Sequence, residues 1–222
     1  LTMTIYGDMD ISIIREKPKN RKPIKTYSKL EVKIEDVLKF IKKEINLGNQ
    51  IFWVCPLIEE SKKIDHESAI KKYEFLKKKF KDNVDIIHGL VKENDREIIL
   101  KKFLNNKIKI LVSTTVIEVG IDFPNANLII IENANKFGLS QLHQLRGRVG
   151  RGKDQSYCVL VFKKNLSENA KKRIKILKDT TVGFKISNED MKLRGYGDIL
   201  GFKQSGIKNF KLADPILHED LF

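Results

Sequence analysis

The amino-acid sequence predicts an α/β fold in which a parallel β-sheet has helices on both faces, followed by a C-terminal helical hairpin and an extended loop. Short apolar runs, typical of strands buried on both faces, alternate along the chain with segments of helical periodicity. This alternation stops in the C-terminal part, where glycines become frequent and few apolar residues are in register. These observations together favour one α/β domain with a C-terminal appendage.

The predicted elements follow from apolar spacing, with turn residues between them. In chain order, they are helix 34–47, strand 51–58, helix 69–80, strand 84–87, helix 93–105, strand 108–112, a short helix, a turn at 123–125, strand 128–131, helix 139–149, strand 157–162 and helix 167–178. The stretch Phe184–Gly206 is interpreted as a helical hairpin that leads into an extended loop.

Three parts are therefore expected. Residues 1–25 form a basic, proline-punctuated linker, residues 26–165 form the α/β domain, and residues 166–222 form the hairpin and C-terminal loop. The first residues have neither the basic nor the apolar region of a signal peptide and no start residue, so we interpret them as a cut within a longer chain. No apolar run is long enough to span a bilayer, and we expect a cytoplasmic protein.

The net charge of +14 favours a polyanionic partner such as nucleic acid, although a lysine-rich solvated surface would give the same charge. The chain uses 35 lysines and only 8 arginines. An arginine is therefore expected where lysine would not suffice, as in bidentate phosphate recognition. Cys55 and Cys158 lie in apolar runs and are expected to be buried thiols, and the histidines show no metal-ligand spacing.

Three of the eight arginines lie within six residues, in the segment Gln144–Arg151. On a helix, Gln144, Arg148 and Arg151 would share one face, and the glycines between them would let a polyphosphate approach. The alternative is a surface helix with incidental arginines. The stretch from Gly147 to Lys153 also fits the start of a phosphate-binding P-loop, but Asp154 replaces the magnesium-binding hydroxyl residue and a helix precedes it, so we reject that interpretation.

A second segment follows the strand that ends near Val112. Its hydroxyl residues, Ser113, Thr114 and Thr115, suit a phosphate at a helix start, although a plain helix N-cap is an equal alternative. The chain then turns through Gly120 to Asp122, whose carboxylate suits a ribose hydroxyl or a hydrogen bond to an arginine.

These two segments, in this order, resemble motifs V and VI of the superfamily 2 helicases, and the surrounding pattern resembles their second RecA-like motor domain. The resemblance implies that Arg151 is the arginine finger for ATP bound on the first motor domain. It further implies that Arg148 supports Arg151 at the phosphates, that Gln144 assists, and that Gly120 and Asp122 border the nucleotide. It also implies nucleic-acid backbone contacts; these involve His88, Gly89, Ser113, Thr114 and Thr115.

The segments Thr4–Ile14, Gly138–Gly152 and Leu193–Gly201, followed by Gln204-Ser205-Gly206, resemble the RecG family of bacterial ATP-dependent DNA helicases. The last stretch is similar to the translocation (TRG) motif shared with the transcription-repair coupling factor, which implies that Arg194 and Gln204 couple motor closure to movement on DNA. The resemblance implies branched double-stranded DNA, such as forks and Holliday junctions, as the partner.

The resemblance also implies that ATP and Mg²⁺ are held mainly by a first motor domain absent from this chain, as is a wedge domain. The chain alone is then expected to be inactive, since it lacks a P-loop and an Asp-Glu-x-His segment. A monomer is also expected. Two alternatives remain: the motor of a transcription-repair coupling factor, or an inert nucleic-acid-binding module.

Overall fold

The computed structural model describes residues 22–56, 62–114 and 122–194, with the backbone alone for residues 62–66 and Arg194, and it confirms the α/β prediction. Within these ranges the six strands are β1 (Lys25–Leu30), β2 (Gln50–Val54), β3 (Val84–Ile87), β4 (Ile110–Ser113), β5 (Ala126–Ile131) and β6 (Tyr157–Phe162). The α-helices of the described residues are α1 (Ile34–Asn46), α2 (Lys62–Phe80), α3 (Glu93–Leu104), α4 (Leu139–Arg146), α5 (Glu168–Asp179) and α6 (Gly183–Arg194).

All six strands are parallel and form one sheet in the order β1-β6-β5-β2-β4-β3. A parallel sheet has every strand end at one edge, called here the carboxyl edge, and every strand start at the other, called here the amino edge. The two central strands, β2 and β5, are buried along their whole length. This explains their continuous apolar sequences, because neither face of such a strand meets water.

Helices cover both faces of the sheet. Helices α1 and α2 pack on one face around Trp53 of β2, through residues such as Ile41 and Leu76. Helices α3, α4, α5 and α6 contribute to the core of the opposite face, where Phe52 stacks against Phe103 with ring centroids 5.1 Å apart. In the part of the chain that the structure describes, no helix is long and apolar enough to cross a membrane.

Strand β1 was not predicted from the sequence. Its sequence, KTYSKL, has a single aliphatic residue, Leu30, and none of its residues is fully buried, because it lies at the edge of the sheet beside β6. The predicted strand 51–58 is too long, since β2 ends at Val54. Pro56 lacks the N–H group that a longer strand would need in the ladder.

The C-terminal helices pack onto the sheet rather than standing apart from it. Ile174 and Leu177 of α5 and Ile186 of α6 belong to the same buried cluster as Leu142 of α4. The predicted helix 167–178 is confirmed as α5. In the stretch Phe184–Gly206, interpreted as a hairpin and loop, the described residues belong to helix α6. The extended loop predicted after it lies outside the described residues.

Candidate nucleotide and nucleic-acid sites

The arginine segment is not one continuous helix, so the prediction that Gln144, Arg148 and Arg151 share a helix face is wrong. Helix α4 ends at Arg146, and Gly150 has a φ of +81°, a left-handed conformation that interrupts any helix. Gln144 is exposed on the last turn of α4, while Arg148 and Arg151 are half-buried in the irregular chain that follows. This geometry supports the rejection of the P-loop interpretation, because the stretch follows a helix and a P-loop follows a strand.

Two glycines let the irregular chain lie against the amino edge. A Cβ atom at Gly150 would lie 3.0 Å from Cγ1 of Ile24, which precedes β1. A Cβ atom at Gly152 would lie 2.5 Å from the carbonyl oxygen of Pro124, which precedes β5. Side chains at these positions would push the segment away from the sheet. The glycines therefore fix where Arg148 and Arg151 lie, rather than opening space for a ligand alone.

Arg151 meets Asp122 at the same edge. Its Nη1 atom lies 3.5 Å from Oδ1 of Asp122. A hydrogen bond to an arginine was one of the two alternatives that the sequence left open for this carboxylate. The two side chains are 27% and 62% exposed, so the pair contributes only about 0–1 kcal/mol to stability. The Nε atom of Arg151 is buried and makes no hydrogen bond among the described residues. Arg151 can therefore exchange Asp122 for a phosphate at little cost.

A network of polar side chains lies at the amino edge, next to the arginine segment. Ser156 donates to Oδ1 of Asn127 (3.0 Å), Asn127 donates to Oδ1 of Asn49 (2.8 Å), and Asn49 donates to Oε2 of Glu44 (2.7 Å). Oδ1 of Asn127 also lies 3.9 Å from the position of a Cβ atom at Gly152. The network thus connects α1 to the starts of β5 and β6, directly under the arginine segment.

The predicted nucleic-acid contacts lie at the carboxyl edge. Ile87 of β3 pairs with Ser113 of β4, so His88 and Thr114 follow neighbouring strands at the same level. His88 accepts a hydrogen bond from the backbone N–H of Leu90, which forms a turn that leaves Gly89 exposed. This arrangement brings the two predicted contact groups together.

Ser113 and Thr114 are less accessible than the prediction implied. They are 2% and 5% exposed, and the hydroxyl of Ser113 makes no hydrogen bond among the described residues. In this arrangement the exposed turn at His88 and Gly89 is the accessible part of the surface. Thr115 and Gly120 lie outside the described residues, as does Gln204, and for Arg194 only the backbone is described.

Sequence reasoning missed the role of Arg146, which is 2% exposed. Its Nη1 atom donates to the carbonyl of Leu177 on α5 (2.5 Å) and to Oγ1 of Thr26 on β1 (3.3 Å). Its Nη2 atom lies 3.1 Å from Nδ1 of His143. Burial lowers the pKa of this guanidinium, although not enough to discharge an arginine. The scarcity of arginine pointed to this residue, but nothing in the sequence indicated that it is buried.

A second unpredicted cluster surrounds Glu132 at the end of β5. Oε2 of Glu132 accepts a hydrogen bond from Nε1 of Trp53 (2.7 Å), and Oε1 pairs with Nζ of Lys72 on α2 (3.0 Å). The ammonium of Lys72 also lies 5.2 Å from the Trp53 ring centroid. These contacts neutralise the buried carboxylate and attach α2 to the carboxyl edge.

The two cysteines are free and buried, as the sequence predicted. Burial raises the pKa of both thiols, that of Cys158 to about 12, so neither is a reactive thiolate near neutral pH. Among the described residues, no group of three or more histidine, cysteine or acidic side chains could hold a metal ion.

Helix α4 also contacts the hairpin directly. Ser140 donates a 2.6 Å hydrogen bond to Asp190 of α6, and Nε2 of His143 would lie 3.3 Å from a Cβ atom at Gly183. Arg173 of α5 donates to the carbonyl of Asn135, which precedes α4. Helix α4 therefore contacts both α5 and α6 and leads directly into Arg148 and Arg151.

Comparison with known proteins gives a consistent match. The family described as the helicase conserved C-terminal domain matches residues 32–153. The chain is 45% identical over 218 residues to the ATP-dependent DNA helicase RecG of Bacillus subtilis (strain 168), covering 97% of this chain and 32% of that protein. It is 46% identical over 220 residues to the protein of the same name from Treponema pallidum (strain Nichols), again covering 97% of this chain and 32% of the relative.

Solved structures show the same similarity. A structure of RecG bound to a three-way DNA junction matches with a TM-score of 0.77 and 41% identity, over 99% of this chain and 28% of that chain. The S. cerevisiae Dbp5 L327V structure bound to RNA and ADP BeF3 matches with a TM-score of 0.50 and 20% identity, over 78% of this chain and 39% of that chain, and shows the fold alone. The chain spans about a third of the length of the relatives it matches.

Proposed function

The chain belongs to the helicase conserved C-terminal domain family, and from this we infer that it is the second RecA-like motor domain of an ATP-dependent DNA helicase of the RecG type. In this proposal, residues 1–25 lead from the first motor domain, residues 26–165 form the second, and residues 166–222 form the translocation hairpin and loop. The complete enzyme would remodel branched double-stranded DNA, including forks and Holliday junctions. It would act in the cytoplasm as a monomer.

The observation that carries the proposal is the position of Arg151. Its guanidinium is half-buried, held by a weak pair with Asp122 and left with one unused donor, Nε. A guanidinium supplied from a second domain to a transferring phosphoryl group contributes about 10³–10⁵ in rate. We assign Arg151 as this arginine finger, with Arg148 beside it at the phosphates. Gln144, Gly120 and Asp122 complete this side of the nucleotide site.

ATP and Mg²⁺ would be held mainly by the first motor domain. The residues of this chain would act on the phosphates and the ribose. His88, Gly89, Ser113, Thr114 and Thr115 would contact the DNA backbone at the carboxyl edge. The nucleotide and the DNA would thus occupy opposite edges of one sheet.

The test is Arg151→Ala in the full-length enzyme. We expect DNA-stimulated ATP hydrolysis to fall by about 10³-fold or more while DNA binding stays unchanged, because Arg151 acts on the phosphates and not on DNA. The measurements are steady-state ATP hydrolysis with saturating branched DNA and a direct binding titration.

The matched control is Lys153→Ala, which removes an exposed cation two residues away. Lys153 is also the lysine that the rejected P-loop interpretation would need. We expect it to leave hydrolysis within about twofold of wild type, since a surface substitution of this kind has little effect. Normal hydrolysis by the Arg151→Ala enzyme, or an equal loss in the Lys153→Ala enzyme, would contradict the assignment.

A further inference from the structure

A cavity of about 460 Å³ opens at the carboxyl edge, between the ends of β1 and β6 and helix α5. Its walls include apolar residues from all three elements, among them Leu30, Phe162 and Ile174. This cavity lies at the β1 side of the sheet, whereas the predicted DNA contacts at His88 and Thr114 lie at the β3 side. It is therefore separate from both sites described above.

Five lysines line the cavity. They are Lys163, Lys164, Lys171, Lys175 and Lys178. All five are exposed, and Lys171, Lys175 and Lys178 are spaced i, i+4, i+7 on α5, so they share one face of the helix.

Few acidic groups balance these lysines. Lys171 pairs with Glu168 at 2.7 Å, and among the described residues Asp179 is the one acidic residue that lines the cavity. Lys163, Lys164, Lys175 and Lys178 make no ion pair with a carboxylate among the described residues. Four uncompensated positive charges around one opening repel each other and favour an anionic ligand.

The composition of the cavity indicates what kind of anion it takes. Among the described residues, the cations that line it are all lysines, and lysine supplies charge without the bidentate geometry that reads a base or grips one phosphate. The apolar walls can cover the aliphatic stems of the lysines while the ammonium groups remain in water. This pattern suits a row of phosphates on a nucleic-acid backbone, contacted without regard to sequence.

The position of the cavity at the carboxyl edge also favours a nucleic-acid backbone as its ligand. From β6 or β1 to β4 there are three or four strand spacings of about 4.8 Å, which gives roughly 14–19 Å between the cavity and the predicted DNA contacts. Successive phosphates on one strand of duplex DNA are about 3.4 Å apart along the axis, so roughly five base pairs would cover this distance. One duplex lying along the edge could reach both places.

We propose that the lysine-lined cavity between β1, β6 and α5 is a second binding site for the phosphate backbone of duplex DNA. This inference rests on the proposed function, because it takes the substrate to be DNA. The lysines of the cavity would contact the duplex independently of its sequence, and these contacts are distinct from those at His88 and Gly89.

The test compares full-length enzymes by the salt dependence of their binding to duplex DNA. The variant replaces Lys163, Lys164, Lys175 and Lys178 by glutamine. Each lost phosphate contact lowers the slope of log K against log salt by about 0.9 in magnitude, so we expect the slope to fall by about 2–4. DNA-stimulated hydrolysis at saturating DNA should stay unchanged, because the variant leaves the arginine segment intact.

The matched control replaces Lys39, Lys42, Lys43 and Lys78 by glutamine. These lysines are exposed on α1 and α2, on the opposite face of the sheet, and make no ion pair among the described residues. The total charge of the two variants is equal, so a difference between them reports position. We expect the control slope to equal that of wild type.

A second variant distinguishes the loss of positive charge from misfolding caused by the four substitutions. Replacing the same four cavity lysines by arginine keeps the charge, and we expect it to keep the wild-type slope. An unchanged slope in the glutamine variant, an equal fall in the control, or an equal fall in the arginine variant would overturn the proposal. Failure of the proposed function would look different, because the wild-type enzyme itself would then show no DNA-stimulated hydrolysis.

Discussion

At the scale of the residue, Gly152 makes the tightest backbone approach near the arginine segment. A Cβ atom there would lie 2.5 Å from the carbonyl oxygen of Pro124, a distance that forces the backbone to move. Gly152→Ala should therefore displace Arg151 from its position beside Asp122. In the full-length enzyme, we expect kcat for ATP hydrolysis to fall by about 10²-fold or more, since an ångström of misplacement at a catalytic group costs this much.

The matched control for this substitution is Gly48→Ala. Gly48 has a positive φ, +87°, but a Cβ atom there would meet no atom within 4 Å. The strain costs about 1 kcal/mol of stability and leaves the arginine segment in place. A normal kcat in the Gly152→Ala enzyme would show that Arg151 does not depend on this contact.

Individual residues were predicted unevenly from the sequence. A hydrogen bond between Asp122 and an arginine was one of two options that the sequence left open, and the structure identifies the partner as Arg151. The burial of Arg146 was not foreseen, since its partners, Thr26 and Leu177, are 120 and 31 residues away along the chain. Long-range hydrogen bonds of this kind leave no local pattern.

At the scale of the element, Arg146 connects α4 to β1 and α5. Arg146→Met keeps the apolar stem but leaves the carbonyl of Leu177 without its donor in a buried place, which costs about 1–3 kcal/mol. We expect the free energy of unfolding of the chain, measured by urea titration, to fall by that amount.

Arg148→Met is the control for Arg146→Met, since Arg148 is two residues away, half-buried and makes no ion pair among the described residues. We expect its free energy of unfolding to stay within about 0.5 kcal/mol of wild type. Equal losses in the two variants would mean that the contacts of Arg146 do not hold the three elements together.

The sequence predicted most elements correctly because buried parallel strands and amphipathic helices have strong patterns. It failed where the pattern is weak or misleading. Strand β1 is mostly polar and lies at the sheet edge, and helix α4 stops three residues before the predicted end because Gly150 takes a left-handed φ. The apolar Val149, which is 1% exposed, extends the periodicity beyond the helix and explains the error.

At the scale of the whole molecule, the proposed nucleotide and DNA contacts lie at opposite edges of the sheet, and α4 connects the arginine segment with the hairpin. Ser140 and His143 contact α6, while Arg146 contacts α5. A shift of the arginine segment on nucleotide binding would thus be transmitted to the hairpin without passing through the DNA contacts at His88. Hydrolysis and movement should be separable by substitution.

Arg194 and Gln204 are the residues with which we propose to separate them, since the sequence there resembles the translocation motif and α6 ends at Arg194. In the full-length enzyme, Arg194→Ala and Gln204→Ala should keep DNA-stimulated ATP hydrolysis within about twofold while fork unwinding falls at least tenfold. Lys192→Ala is the control, because Lys192 is exposed on α6 and pairs only with Glu189 at the surface among the described residues. Parallel loss of hydrolysis and unwinding would mean that the hairpin supports the motor structurally and transmits no movement.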